Sequence, residues 1–235
     1  VKGKRVFLVV EKAPAWRLSV NDKIVYTNVK EWHWDKQFGK IDISDYVNVG
    51  ENSVEISCKY ALDIPIEDMY LVGDFGVKKV SDTEYAITEE PKVLRIGDWV
   101  EQGYPFYAGT MRYGTKFHLE KKPEAGERVL IRFPEAKGSL FLVSVNDKGS
   151  ALVCCQPLEA DITDSIQRGE NELTIEVVSS LRNTFGPLHS RFGDPHMVGP
   201  NTFVDEANWV DSYQLVPYGL IRGAQIVMRK EASKR

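Results

Sequence analysis

The sequence contains no apolar run near the roughly 20 residues that span a bilayer, which removes any reading as a helical membrane span. Positive charge is not in surplus: 30 Lys and Arg stand against 34 Asp and Glu, a net −4, so the basic stripe expected of a nucleic-acid binder is missing. Cysteine is scarce and odd in number, with Cys58, Cys154 and Cys155 alone, so no disulfide framework is expected. The three are read as small buried hydrophobes, the adjacent pair pointing to opposite faces of a strand. No Asn-x-Ser/Thr acceptor occurs. Nor is there a Gly-x-Ser-x-Gly elbow, a phosphate-binding loop, a dinucleotide fingerprint or a His-Glu-x-x-His helix. No carboxylate spacing marks an acid/base pair, and no catalytic residue is assigned. Long amphipathic helical periodicity is also lacking.

What the 235 residues do carry is a repeat. Residues 5–10 (RVFLVV) resemble 128–133 (RVLIRF), and 18–23 (LSVNDK) resemble 143–148 (VSVNDK). In the same order, 42–47 (DISDYV) match 161–166 (DITDSI), 50–56 (GENSVEI) match 169–175 (GENELTI), and 71–77 (LVGDFGV) match 215–220 (LVPYGL). The copies are set at 1–92 and 93–235. Asn21-Asp22 and Asn146-Asp147 are turn formers between apolar segments, because both residue types tolerate left-handed backbone. Asp42 and Asp161 precede one short helical turn that Ser44 and Thr163 would cap, and Gly50 and Gly169 supply positive φ after it. Val54 and Ile56, like Leu173, Ile175 and Val177, alternate with polar residues as half-buried strands do. The fold class is therefore all-β, as tandem sandwiches. The second copy has a long lead-in, 93–127, with strands expected near Trp99-Val100 and at 110–119. The first copy has no such lead-in. Either the parent chain continues upstream of Val1, or this copy is a smaller sandwich; exposed sheet edges favour the former.

The run Val-Asn-Asp-Lys, Asp-Ile-Ser/Thr-Asp and Gly-Glu-Asn, best seen at Val145–Asn146–Asp147, Asp161–Ile162–Thr163 and Gly169–Glu170–Asn171, resembles the sugar-binding domain of glycoside hydrolase family 2. It is similar also to the galactose-binding-like jelly rolls of α-L-rhamnosidase-type enzymes, with Tyr107, Gly109 and Tyr113 like their opening strands and 215–220 like their close. The resemblance implies jelly-roll topology and a non-catalytic role beside a catalytic domain, binding carbohydrate or bracing its neighbour. It also allows a structural calcium, with no other cofactor. Partners are then carbohydrate and the parent's catalytic domain, with neither nucleic acid nor membrane, and the setting leans extracellular or periplasmic. An adhesin-like sandwich that binds glycan or protein without an enzyme is the other reading.

Two places could hold a sugar, which needs an aromatic face and planar polar groups. The 182–209 loop is long and without regular pattern, and offers Trp209 with His189, Arg191, Asp194 and His196. Against this, Phe185, Phe192 and Phe203 could plug the loop, with His189 bonded to backbone. The His189/His196 spacing is no metal signature. Trp32 and Trp34, near Trp16 and Phe38, would share one face of an extended strand and form a stacking platform, or else a domain contact. Tyr104, Phe106, Tyr107 and Tyr113 read as core.

Overall fold

The computed structural model describes residues 3–194 and 206–230. The chain divides into two compact units: one runs to Lys78 and includes Ala86–Glu90, the other takes Lys79–Tyr85 and Pro91 onward. Both are built from antiparallel strands, and the only helical pieces among the described residues are single turns.

In the first unit β1 (Val6–Glu11) lies between β5 (Asp35–Asp42) and β7 (Tyr70–Gly73), with β4 (Trp32–His33) outside β5. A second sheet has β2 (Arg17–Val20) between β3 (Lys23–Val25) and β6 (Val54–Ser57). Val6, Leu8 and Val10 meet Leu18, Val20, Val25 and Ile41 between the sheets, which makes a sandwich. The hairpin of β8 (Gly76–Lys79) and β9 (Tyr85–Thr88) falls at the division.

The second unit repeats this order at larger size. β11 (Glu127–Arg132) lies between β14 (Glu159–Asp161) and β16 (Gln225–Lys230). The other sheet runs β13 (Ser150–Val153), β12 (Leu140–Val145), β15 (Gly169–Val178), β10 (Thr110–Leu119). Alternation along β12 sends Phe141, Val143 and Val145 inward to meet Val129 and Ile131 of β11 and Leu173, Ile175 and Val177 of β15. Each such side chain fully buried is worth about 1.5–3 kcal/mol. Trp99, fully buried, stacks on Tyr218 and closes one end.

The repeated motifs form the same hydrogen bonds in both units. Asn21 and Asp22, and Asn146 and Asp147, have φ between 50° and 64° and turn the β2–β3 and β12–β13 hairpins. The Asn146 amide nitrogen donates to Ser165 O and to Asn171 Oδ1, while its Oδ1 accepts from Glu172 N. Asn171 then closes its own loop, accepting from Gln167 N and donating to Gln167 O and Gly169 O. The first unit does the same: Asn21 bonds Tyr46 O, Asn52 Oδ1 and Ser53 N, and Asn52 bonds Asn48 and Gly50. Gly50 and Gly169 have φ of 98° and 95°, a conformation that a β-carbon would strain.

The caps differ from expectation. Asp42 and Asp161, not Ser44 and Thr163, accept the turn's backbone N–H, two residues on. The hydroxyls accept instead from Val6 N and Val129 N at 2.9 Å, tying the turn to the first strand of each sandwich. The hydrogen bonds from Ser44, first through its side chain, hold the Asp42 carboxyl below its ordinary value. Burial pushes Asp161 up, but bonds from Thr163 and Arg128 outweigh it and leave that carboxyl lowered too.

Three other expectations fail and one holds. The segment 215–220 is not the partner of 71–77: β7 pairs Leu71 with Leu8, and the strand in that place on β11 is β16, with Ile226 opposite Ile131. Two short Leu-Val stretches resemble each other there without sharing a place. Trp99-Val100 is no strand; Trp99 leads a single 3-10 turn, Val100–Gln102. The strand expected at 110–119 is β10. Cys154 and Cys155 follow β13 rather than lying on it, and both are exposed, with Cys58 half-buried. Tyr70, packed against Trp34, is raised to about 12 by burial and by Asp68 and Glu67.

One contrast separates the units. β15 is covered along its outer edge by ten-residue β10, whereas β6, which occupies the same place beside β2, ends its sheet. Leu173 is 4% exposed and its counterpart Val54 is 39% exposed.

The asparagine network sets a stability difference. Asn171 is fully buried and Asn52 half-buried. Asn171→Ala leaves several buried groups unpaired and is expected to cost about 3 kcal/mol, and Asn52→Ala, where water can re-form bonds, about 1 kcal/mol. Denaturant unfolding of the two variants measures the difference, and equal losses would contradict it.

Candidate functional site

The long loop of the second unit begins as a clamp. Ser179, next after β15, exchanges backbone and hydroxyl bonds with Gly109, and Ser180 Oγ lies 2.7 Å from the Tyr218 hydroxyl. A helical turn, α1 (Arg182–Phe185), then buries Asn183. Asn183 Nδ2 donates to Pro105 O and Val216 O, and its Oδ1 accepts from Val216 N at 2.9 Å. Thr184 Oγ1 donates to Phe106 O. Three chain segments far apart in sequence are thereby fixed together, and the loop leaves from a rigid base.

From that base a row of rings is assembled. The His189 and Trp209 rings stack with centroids 4.3 Å apart and planes 20° from parallel. On its other side His189 meets Tyr213 at 4.8 Å. Tyr213 in turn meets Phe106 and Tyr85, each at 5.3 Å, and those two rings touch at 4.9 Å. Edge-on and stacked contacts of this kind each add about 0.5–1.5 kcal/mol beyond burial. Burial raises the Tyr85 hydroxyl above its ordinary value; nearby Lys79 opposes this, and Glu101, Tyr213 and Asp82 add to it. Backbone pairing of 189–191 with 208–210 holds the outer end: Val210 N donates to His189 O, and Arg191 N to Asn208 O. His189 Nδ1 is 3.0 Å from Val210 O, and a carbonyl can only accept, so Nδ1 carries the proton. Trp209 Nε1 donates to Asp211 Oδ1, and the residue remains 42% exposed.

Of the residues singled out in this loop, the fold brings together Trp209, His189 and, through its backbone, Arg191. Asp194 points elsewhere: its carboxylate pairs with Arg182, whose side chain is mostly buried. His196 and Phe203 lie outside the described residues. Phe192 is exposed and plugs nothing, while His189 is bonded to backbone as the packing alternative anticipated. Tyr213 and Tyr85 were missed, because no local pattern joins residues so distant in sequence.

In the first unit Trp32 and Trp34 do not share a strand face. The chain turns at Trp34, which takes φ 61°, and His33 pairs with Asp35 across the turn. Trp34 packs among His33, Phe38 and Tyr70, while Trp32 is exposed. Trp16 bonds Glu11 O through its indole. The His33 imidazole is lowered, by burial first and then by Lys40. Tyr104, Tyr107 and Tyr113 pack against the core, as expected.

The second unit has a further groove of about 400 Å³ beside the β12–β13 hairpin, floored by Val145 and edged by Lys148, Ser150, Asp161, Asp164 and Ser165. Asp161 there is already engaged by Thr163 and Arg128, and Ser165 by Lys148 O. The groove has polar walls but no ring. Among the described residues no group of three or more His, Cys, Asp or Glu could hold a metal ion, and no helix is long and apolar enough to cross a membrane.

No protein-family model and no curated protein matches the chain. Rhamnosidase and glucuronidase chains are among the solved structures it is similar to. A rhamnosidase from Novosphingobium sp. PP1Y shares 15% identity over 97% of this chain and 23% of that one, with a TM-score of 0.43. The Streptomyces avermitilis α-L-rhamnosidase complexed with L-rhamnose shares 16% over 95% of this chain and 24% of its own, with a TM-score of 0.32. A β-D-glucuronidase of Dictyoglomus thermophilum shares 18% over 67% of this chain and 27% of its own, with a TM-score of 0.33. The chain thus spans about a quarter of the length of these proteins.

The clamp under the ring row gives a direct expectation. Asn183→Ala strips partners from buried carbonyls and an N–H and is expected to cost about 3 kcal/mol in denaturant unfolding. A loss below about 0.5 kcal/mol would mean that the loop is held without it.

Proposed function

We propose that the chain is an accessory β-sandwich region of a larger glycoside hydrolase, with a carbohydrate-binding surface at Trp209 in the second unit. The observation that carries this reading is the half-exposed Trp209 indole, held in place by His189 behind it and by paired backbone on either side. A sugar ring presents a C–H face that stacks on such an indole, and its hydroxyls seek planar polar groups at the rim. Arg191, exposed and one residue from the Ser190–Trp209 bridge, is assigned that rim role, with His196 as a further candidate. Asp194 acts indirectly, through Arg182. Because the rings are already packed, little ordering is lost on binding. The shared asparagine network, with the same strand order around β1 and β11, supports descent of the two units from one duplicated jelly roll of galactose-binding type.

Bracing is the second role, and a separate observation favours it. The β6 edge is open and carries half-exposed Val54, where β15 is covered by β10. An uncovered edge with apolar residues is a docking line for another strand. We assign this edge, together with exposed Trp32, to contact with the rest of the parent protein or with a protein partner, as an adhesin-like module would also use it.

Titration with rhamnose, galactose, glucuronic acid and their oligosaccharides, followed by thermal unfolding, tests the carbohydrate reading. A binding sugar at a hundredfold excess over its Kd raises stability by about 2.7 kcal/mol, and Trp209→Ala is expected to abolish the shift while Trp32→Ala leaves it. A shift that survives Trp209→Ala would move the site elsewhere, and no shift with any sugar would leave bracing as the role.

A further inference from the structure

The pair Cys154–Cys155 takes no part in either surface. It lies between β13 and β14 with both thiols exposed and the two Sγ atoms 3.6 Å apart. Neighbouring residues on a strand would direct their side chains to opposite sides; the chain has left β13 here, and the sulfurs converge.

That separation suits one chemistry better than another. Adjacent Cα atoms are about 3.8 Å apart, short of the roughly 4.4–6.8 Å that a disulfide usually spans. A direct S–S bond between them therefore distorts the chain. A single bridging atom does not: two bonds of about 2.3 Å, the length of a zinc–thiolate bond, meeting near the tetrahedral angle put their sulfurs about 3.8 Å apart. The thiols already lie at that distance. With no third His, Cys, Asp or Glu gathered there among the described residues, the site offers two soft ligands and an open side.

We propose that Cys154 and Cys155 form a chelating dithiol site for a soft, thiophilic centre that needs only two protein ligands, trivalent arsenic of an organoarsenical being the type. Both S–H bonds break and two As–S bonds form. The arsenoso oxygen leaves as water carrying both protons, and arsenic stays trivalent, so no oxidant or reductant is needed. The hydrogen bond that Cys154 shares with Cys155 holds the Cys154 thiol above its ordinary value. Half-buried Cys58 has no such neighbour and serves as the internal control.

The test is titration of the whole chain with phenylarsine oxide, read by intact mass and by free-thiol count. One arsenical per chain is expected, with reactive thiols falling from three to one. The adduct should withstand excess monothiol and be released by a small dithiol. Cys154→Ser and Cys155→Ser, both at exposed positions, should each weaken uptake by about 100-fold or more, because a chelate gains from the second thiol being held nearby. Cys58→Ser should leave uptake unchanged. Uptake lost with Cys58→Ser, an adduct displaced by monothiol, or single variants within about tenfold of the parent would overturn the proposal.

Discussion

An asparagine in a hairpin turn, bonded through its side chain to a second asparagine at or just before the start of another strand, ties together the parts of each sandwich. Asn146 reaches the 161–166 turn at Ser165 and the start of β15 at Asn171 and Glu172; Asn21 reaches Tyr46, Asn52 and Ser53 in the same way. All the bonding capacity of Asn171 is used inside the protein, so burial costs it little, and losing any partner costs a great deal. The Asp161–Thr163 and Asp42–Ser44 turns extend the tie to β11 and β1, in the other sheet of each sandwich. Register, turn and inter-sheet spacing therefore follow from a few short polar motifs, with aliphatic alternation filling the space between.

Around that frame the two units differ. The second has β10 over the outer edge of β15, a core closed by Trp99 and Tyr218, and the loop clamped by Asn183. The first has a bare β6 edge and a tight turn at Trp34. A rigid base under a half-exposed indole suits recognition of a small polar ring, whereas an uncovered edge suits contact with more polypeptide. The two proposed roles follow from these differences, not from the shared frame.

The frame was legible because its chemistry is local. Asn-Asp between apolar runs and Gly where φ is positive are short-range requirements, and they located the hairpins and the loops, although the caps expected of Ser44 and Thr163 fall to Asp42 and Asp161. The reading went wrong where local likeness had no structural counterpart, as with 71–77 and 215–220, or where one backbone angle decided the outcome, as at Trp34. The convergence of Cys154 and Cys155 depended on where β13 stops. The ring row could be glimpsed only in part, since Trp209 and His189 were visible in an unpatterned loop. Tyr213, Phe106 and Tyr85 reach it through the topology of the whole second unit.

Native-state amide hydrogen exchange tests the central claim most directly, because it reads each bond of the asparagine network separately. The account predicts that Gln167 and Glu172 amides, bonded to Asn171 and Asn146, exchange as slowly as the central residues of β15, although Gln167 lies in a loop and Glu172 just outside the pairing of β15 with β12. Exchange of those two amides at the rate of exposed loops would contradict it, and the sandwich would then be held by its apolar core alone.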